Sequence, residues 1–130
     1  MWRMPENLAY LLQYDSFYGR YPEEVRSEGD ELLLGDKRYR VLTEEDPARL
    51  PWSDMGIDLV FDCTGLFTRK EDLEKHLEAG AGKVILSAPA KGGGIPFVVN
   101  GVNDVADAEM VSCASCTTNC SAPVMEVIGR

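Results

Sequence analysis

The chain has 130 residues, of which 45% are hydrophobic and 27% charged, and its formal net charge is −9 at pH 7. That length and apolar content suit one domain with an ordinary core, whereas the negative charge argues against nucleic acid or an anionic membrane as a partner. No apolar run approaches the roughly eighteen residues that span a bilayer. Three of the four cysteines cluster near one end, a spacing that does not suit a framework of disulfide bonds. We therefore expect a reduced, cytoplasmic setting.

The chain from Pro5 to Leu12 predicts a short helix. Proline is well placed in the first turn of a helix, and the spacing puts three leucines on one face. These are Leu8, Leu11 and Leu12. The aromatic residues at 14–19 break this pattern, and we expect their rings to cover a core.

Residues 24–42 predict β structure. Two runs, 31–34 and 37–42, flank the dipeptide Gly35-Asp36. Two apolar or alternating runs separated by a two-residue turn are typical of a β-hairpin.

The next section predicts a βαβ unit. A buried-type strand at 57–62 is followed by a helix at 69–79 and a strand at 83–86, within about 30 residues. Leu73 and Leu77 lie on the inward face of the helix. Such a unit gives two parallel strands joined by a right-handed crossover.

Small polar residues follow both strands of this unit. Thr64 and Gly65 come after the first strand and Ser87 after the second. Ligands of open α/β sheets bind beyond the carboxyl ends of the strands, so these residues form a candidate ligand rim. Taken alone, each pair is more often ordinary turn chemistry.

Residues 91–96 contain a lysine and three glycines. No Gly-Lys-Ser/Thr sequence follows them, so the spacing is wrong for a phosphate loop and we predict a surface turn. A strand at 96–99, a turn at 101–104 and a short strand at 109–113 complete this part.

The last eighteen residues hold Cys113, Cys116 and Cys120. A strand before Cys116 and small polar residues after it predict a helix that begins at this cysteine. The unpaired N–H groups of a helix start favour a thiolate and can hold an oxyanion on a carbonyl that the sulfur attacks. The pattern therefore indicates a candidate nucleophile.

Two other interpretations of these cysteines are open from local chemistry. A cysteine is more often a small buried side chain than a nucleophile, and clustered thiolates also bind metals or iron–sulfur clusters. No fourth ligand is nearby: Cys63 is far upstream, and the only histidine, His76, falls in a predicted surface helix. We predict no metal site.

The segment 115–120, Ser-Cys-Thr-Thr-Asn-Cys, resembles the active-site segment of the phosphorylating glyceraldehyde-3-phosphate dehydrogenases. The likeness continues in the family's order through five further segments, at 7–16, 46–52, 64–67, 83–89 and 101–103. It implies an α/β fold: a partial Rossmann-like, doubly wound parallel sheet with a β-hairpin insertion, lacking the first βαβ unit. Residues 1–112 would be a partial dinucleotide-binding domain and 113–130 the start of the catalytic domain.

The resemblance also implies a reaction. Cys116 would attack the aldehyde of glyceraldehyde 3-phosphate to give a hemithioacetal, hydride would pass to NAD or NADP, and inorganic phosphate would release the resulting thioester. Ser115 and Thr117 would hold substrate or phosphate, Asn119 would pin the loop, and Cys120 would be a structural neighbour. The residues implied to lie along the dinucleotide are Thr64, Gly65, Phe67 and Ser87. The resemblance also implies a homo-oligomer, which in this family is a tetramer.

Several parts of the family's pattern are absent. We find neither the Gly-x-Gly-x-x-Gly loop nor the histidine base that the family carries, since His76 would face solvent, and Glu45 stands where the family has a cofactor-contacting arginine. We therefore expect a truncated dehydrogenase that is inactive alone, with the apolar face of its last helix exposed. The alternatives are a non-catalytic fragment, a binding or assembly module, and an erythrose-4-phosphate dehydrogenase relative.

Overall fold

The computed structural model describes residues 4–105 and 107–129. The chain divides into two compact units, Met1–Glu45 and Asp46–Arg130, which are considered separately below.

The first unit contains one helix and two small antiparallel sheets. Its elements are α1 (Pro5–Gln13), β1 (Tyr14–Asp15), β2 (Gly19–Arg20), β3 (Val25–Glu28), β4 (Glu31–Leu34) and β5 (Lys37–Arg40). Strands β3, β4 and β5 pair in that order, and Leu34 pairs with Lys37 across a two-residue turn. The predicted helix and hairpin are both confirmed.

The buried side of α1 is not the leucine face that the spacing suggested. Pro5, Ala9 and Gln13 are its buried residues, whereas Leu11 and Leu12 are exposed. The Gln13 amide donates to the carbonyls of Tyr21 and Glu23 and accepts from the Val25 N–H. A small alanine and a fully bonded amide let the helix lie close against β3, which explains the choice of face.

The prediction that the aromatics at 14–19 cover a core is wrong. Phe17 is 86% exposed and Tyr18 is 88% exposed. The carboxylate of Asp15 accepts hydrogen bonds from both of their backbone N–H groups, at 2.8 and 2.7 Å. Those bonds close the turn between β1 and β2 and direct the rings outward, and they also lower the pKa of Asp15.

The second unit is built on a parallel sheet. Its elements are a 3-10 turn (Pro47–Arg49), α2 (Trp52–Met55), β6 (Leu59–Asp62), α3 (Lys70–Glu78), β7 (Lys83–Leu86), β8 (Met110–Ser112) and α4 (Cys116–Ile128). The strands pair in the order β6-β7-β8, and both pairs are parallel. The predicted βαβ unit is confirmed, and with it the partial Rossmann-like α/β fold class.

The predicted strand at 96–99 is wrong, since this segment forms only an isolated bridge between Phe97 and Ser112. Pro96 has no N–H with which to continue a ladder. The Asn103 side chain accepts from the Val99 N–H and donates to the Phe97 carbonyl. These bonds turn the chain away from β8 after one pairing.

The core of this unit lies between α3 and the sheet. Leu73, Val84, Leu86 and Ile95 form the buried cluster, and Leu77 packs against it. The helical face predicted from Leu73 and Leu77 is therefore the one that meets the core.

Some apolar side chains of this unit remain in contact with solvent. Phe61 on β6 is 63% exposed, and Val127 and Ile128 on α4 are 73% and 72% exposed. The expected exposure of the last helix's apolar face is confirmed. Within the described residues, every helix is too short or too polar to cross a membrane.

Candidate active site

The three parallel strands of the second unit end side by side. Asp62, Leu86 and Ser112, the last residues of β6, β7 and β8, are in register. Beyond them the Ser87 N–H donates to the Asp62 carbonyl at 3.0 Å, and the Cys113 N–H donates to the Leu86 carbonyl at 2.9 Å. The segments that follow the strands therefore leave from one edge of the sheet, which we call the carboxyl edge.

The turn after β6 holds Thr64 in one orientation. One carboxylate oxygen of Asp62 accepts from the Thr64 N–H at 2.9 Å and from its hydroxyl at 2.6 Å. The same hydroxyl accepts from the Leu66 N–H at 3.2 Å. A hydroxyl has one proton and two lone pairs, so the exposed Thr64 presents its remaining lone pair as an acceptor.

Gly65 and Ser87 are exposed at the same edge. Gly65 has φ +69°, and a Cβ atom there would meet nothing within 4 Å. The backbone conformation favours glycine, and the open space leaves room for a ligand. Phe67 differs from the other rim residues, because it is half-buried and packs against the Leu73 cluster.

The prediction that His76 faces solvent is wrong. His76 is 5% exposed and Asp62 is 2% exposed. The indole N–H of Trp52 donates to Nδ1 of His76 at 3.0 Å, and the two rings stack at 25°. His76 occupies the inward side of α3 because it follows Leu73 by three positions, which is one helical turn.

The bond from Trp52 fixes the tautomer of His76. An indole N–H only donates, so Nδ1 is the acceptor and Nε2 carries the proton. Nε2 faces Oδ2 of Asp62 at 3.6 Å, which is longer than a hydrogen bond. Both of these buried atoms lack a hydrogen-bond partner among the described residues.

The pKa of His76 is lowered from its ordinary value of 6.5. The main cause is burial, which removes the imidazolium from water. The Asp62 carboxylate raises the pKa of His76, but its effect is smaller than that of burial, so the net shift is downward. The neutral imidazole is thus the form that this environment favours.

The segment after β8 leads to Cys116. Helix α4 begins at this residue, and the Ser115 side chain caps it by accepting from the Thr118 N–H at 3.0 Å. Cys116 and Thr117 are both exposed. The predicted strand-to-helix transition at Cys116 is confirmed, and the thiol lies where the free N–H groups of the first turn are found.

Asn119 holds the loop that precedes Cys116. Its side-chain amide donates to the carbonyl of Cys113 at 2.6 Å and to that of Ser115 at 2.9 Å. Cys120 is exposed one turn after Cys116. Pro123 lies inside α4, where it cannot donate a helical hydrogen bond.

The four cysteines are free and exposed. Across residues 4–105 and 107–129, no three His, Cys, Asp or Glu side chains converge in a way that would hold a metal ion.

Sequence reasoning missed the polar residues behind the edge. Asp62 is a buried carboxylate that follows the buried Val60 by two positions, and Ser112 is a fully buried hydroxyl. A polar residue on the inward register of a strand was the available signal for Asp62. Trp52 lies in a short helix, and its sequence gave no indication that it contacts His76.

Comparison with known proteins places this arrangement in a family. Residues 2–70, more than half of the chain, match the family described as "Glyceraldehyde 3-phosphate dehydrogenase, NAD binding domain". Glyceraldehyde-3-phosphate dehydrogenase of Chlamydia pneumoniae is 50% identical over an alignment of 125 positions, which covers 93% of this chain and 37% of that protein. The Zymomonas mobilis enzyme is 48% identical over an alignment of 126 positions, which covers 95% of this chain and 37% of that protein.

Glyceraldehyde-3-phosphate dehydrogenase 1 of Bacillus subtilis is also similar, with 48% identity over an alignment of 125 positions, which covers 93% of this chain and 37% of that protein. The chain thus spans little more than a third of the length of these relatives. The parallel order of β6, β7 and β8 agrees with this assignment. The chain belongs to the family of glyceraldehyde 3-phosphate dehydrogenase NAD-binding domains.

Proposed function

We propose that this chain is the part of a glyceraldehyde-3-phosphate dehydrogenase that carries the nicotinamide-side rim of the cofactor site and the catalytic thiol. The observation that carries the proposal is the exposed Cys116 at the first residue of α4. Cys116 comes after β8, beyond the same carboxyl edge of the sheet at which Thr64 and Ser87 lie. A thiol and a cofactor rim at one edge fit a reaction between a bound aldehyde and a dinucleotide.

The residues at the edge suit a dinucleotide. Thr64 and Ser87 are exposed hydroxyls, and Gly65 leaves open space beside them. The family description names NAD, so NAD is the cofactor we propose, with NADP as the alternative to be compared in the assay. When bound, the nicotinamide supplies the hydride acceptor. Phe67 would offer an apolar contact at the border of the rim.

Cys116 is the nucleophile in this proposal. Its thiolate attacks the aldehyde carbon, a C–S bond forms, and the carbonyl electron pair moves onto oxygen. The N–H groups in the first turn of α4, which begins at Cys116, would stabilise that oxyanion. When the oxyanion collapses, the C–H bond of the same carbon would break, its hydride would go to the acceptor that the nicotinamide would supply, and a thioester would remain on Cys116. Covalent capture divides one difficult oxidation into two easier steps.

Inorganic phosphate completes the reaction. A phosphate oxygen attacks the thioester carbon, the C–S bond breaks, and the acyl phosphate leaves while the thiolate returns. Ser115 and Thr117 would hold phosphate oxygens through their hydroxyls at the helix start. Asn119 would keep the loop in place through its two carbonyl contacts, and Cys120 would remain a structural neighbour. In this scheme residues 113–130 are the first part of a catalytic domain in an oligomeric enzyme.

A chimera tests the proposal. This chain replaces the matching segment of the Chlamydia pneumoniae relative, and reduction of NAD is followed with glyceraldehyde 3-phosphate and inorganic phosphate. We expect phosphate-dependent activity that Cys116→Ser abolishes and the matched variant Cys120→Ser retains. Parallel assays with NADP and with erythrose 4-phosphate decide the cofactor and the substrate. Activity that survives Cys116→Ser would contradict the proposal.

A further inference from the structure

Ser112 is a buried polar residue to which no role has been given above. It is 0% exposed and is the last residue of β8. Its hydroxyl donates to the Ala88 carbonyl at 2.7 Å and accepts from the Ala114 N–H at 3.1 Å. One hydroxyl therefore joins the segment after β7 to the segment that leads to Cys116.

Ala114 needs such a contact because its backbone is strained. Its φ is +59°, and it is the only non-glycine residue with a positive φ in the part of the chain that the structure describes. A side chain disfavours this left-handed conformation, and such a residue persists when its surroundings hold it there. Ala114 is 5% exposed, so its methyl group is enclosed while its N–H is bonded to Ser112.

The left-handed residue sets the direction in which α4 begins. The carbonyls on either side of it, those of Cys113 and Ser115, both accept from the Asn119 side chain. The Cys113 N–H is bonded to the Leu86 carbonyl of β7. The Ala114 N–H is bonded to Ser112. Each residue from 113 to 115, between β8 and the Cys116 helix, therefore has at least one backbone group in a hydrogen bond.

We propose that Ser112 is a positioning residue for Cys116: its hydroxyl holds Ala114 in the left-handed conformation and so places the thiol at the start of α4. Through its bond to the Ala88 carbonyl, it also ties the thiol's loop to the segment that carries Ser87. This proposal rests on the proposed function, since it assigns Cys116 the role of nucleophile.

The test measures the alkylation rate constant of each cysteine in the 130-residue chain with iodoacetamide and peptide mass spectrometry. Ser112→Ala removes the acceptor of the Ala114 N–H without adding volume. We expect the Cys116 rate constant to fall about fivefold, the factor that one lost hydrogen bond represents, while the Cys63 rate constant stays unchanged. The control Ser121→Ala, at an exposed position of α4, should leave both rates unchanged.

A second change checks that the effect acts through Ala114. Glycine adopts a positive φ without strain, so Ser112→Ala combined with Ala114→Gly should recover most of the Cys116 rate. A Cys116 rate in Ser112→Ala equal to that of the unchanged chain would overturn the proposal, as would a double variant with no recovery.

Hydrogen exchange keeps the test decisive if Ser112→Ala does not fold. In the unchanged chain the Ala114 amide should exchange as slowly as the amides of β7, because its acceptor is fully buried. Exchange at the rate of an exposed loop would overturn the proposal. Failure of the proposed function gives a different result: Cys116 would then be no more reactive than Cys120 in the unchanged chain, whatever the protection of Ala114.

Discussion

Replacing Trp52 by phenylalanine tests the buried contact between Trp52, His76 and Asp62. The substitution removes the indole N–H that donates to Nδ1 of His76 at 3.0 Å and keeps an aromatic ring to stack on the imidazole. Nδ1 then becomes a buried acceptor without a donor. A buried polar atom that loses its partner costs about 1–3 kcal/mol, and this is the loss of unfolding free energy we expect for Trp52→Phe at pH 7.5 or above.

The loss should depend on pH. The pKa of His76 is held below its ordinary value of 6.5 in the folded chain, so the unfolded chain binds more protons as the pH falls through that value. The contribution of neutral His76 to stability is therefore full above about pH 6.5 and is lost as the pH falls below it. In Trp52→Phe no indole N–H points at Nδ1, so this nitrogen can take up a proton more easily and the pKa of His76 should rise. The part of the stability that the unchanged chain loses below about pH 6.5 should therefore be smaller in Trp52→Phe.

The assay uses the fact that the chain has one histidine. Its imidazole proton resonance, titrated by NMR, reports the pKa of His76 directly, and urea unfolding at several pH values reports stability. His76→Gln is the control, since it removes the titrating group and with it the part of the pH dependence assigned to His76. Identical His76 titration curves in the unchanged chain and in Trp52→Phe would refute the reasoning.

Three further predictions concern stability, each measured by urea unfolding. Leu73→Ala, in the centre of the buried cluster, should cost about 2–5 kcal/mol, and a cost below about 1 kcal/mol would contradict that packing. Ser115→Ala removes the cap of α4 and should cost about 0.5–2 kcal/mol; no change would mean that the cap is not formed in solution. Gly80→Ala should cost more than Gly56→Ala: both have a positive φ, but only at Gly80 would a Cβ approach backbone atoms, 2.8 Å from the Ser53 nitrogen. Equal costs would count against the close approach.

The elements that the sequence predicted well are those whose signals are local. The two-residue turn at 35–36 fixes the hairpin of β4 and β5, and the spacing of Leu73 and Leu77 identifies the inward face of α3. The start of α4 at Cys116 follows from the small polar residues beside it. In each case, residues within one turn or one hairpin carry the information.

The error at His76 occurred because its burial depends on partners that are far away in sequence. His76 was expected in solvent because its helix was predicted to lie at the surface, yet the partners that permit its burial are Trp52 and Asp62, on other elements. Gln13 is buried for the same reason, through carbonyls and an N–H of the following β segment. Burial of a polar side chain depends on whether tertiary structure supplies partners, and periodicity carries no information about that.

The candidate site was predictable in part. Strand ends at Thr64 and Ser87 and the helix start at Cys116 were visible as patterns, and parallel pairing brings them to one edge. Asp62 had a signal that was not used, the inward register it shares with Val60. Ser112 had none, because it looks like an ordinary strand-end residue until its partners are known. The left-handed backbone of Ala114 likewise had no signal, since glycine is the residue that usually marks a positive φ.

The most direct measurement of the central claim compares two thiols on one helix. Cys116 is at the start of α4 and Cys120 one turn later, and both are exposed. In competitive labelling of the 130-residue chain with limiting iodoacetamide at pH 7, a thiol held at the helix start should be alkylated first, so modified Cys116 should exceed modified Cys120 at every early time point. Equal labelling of the two cysteines, or faster labelling of Cys120, would contradict the assignment of Cys116 as the nucleophile.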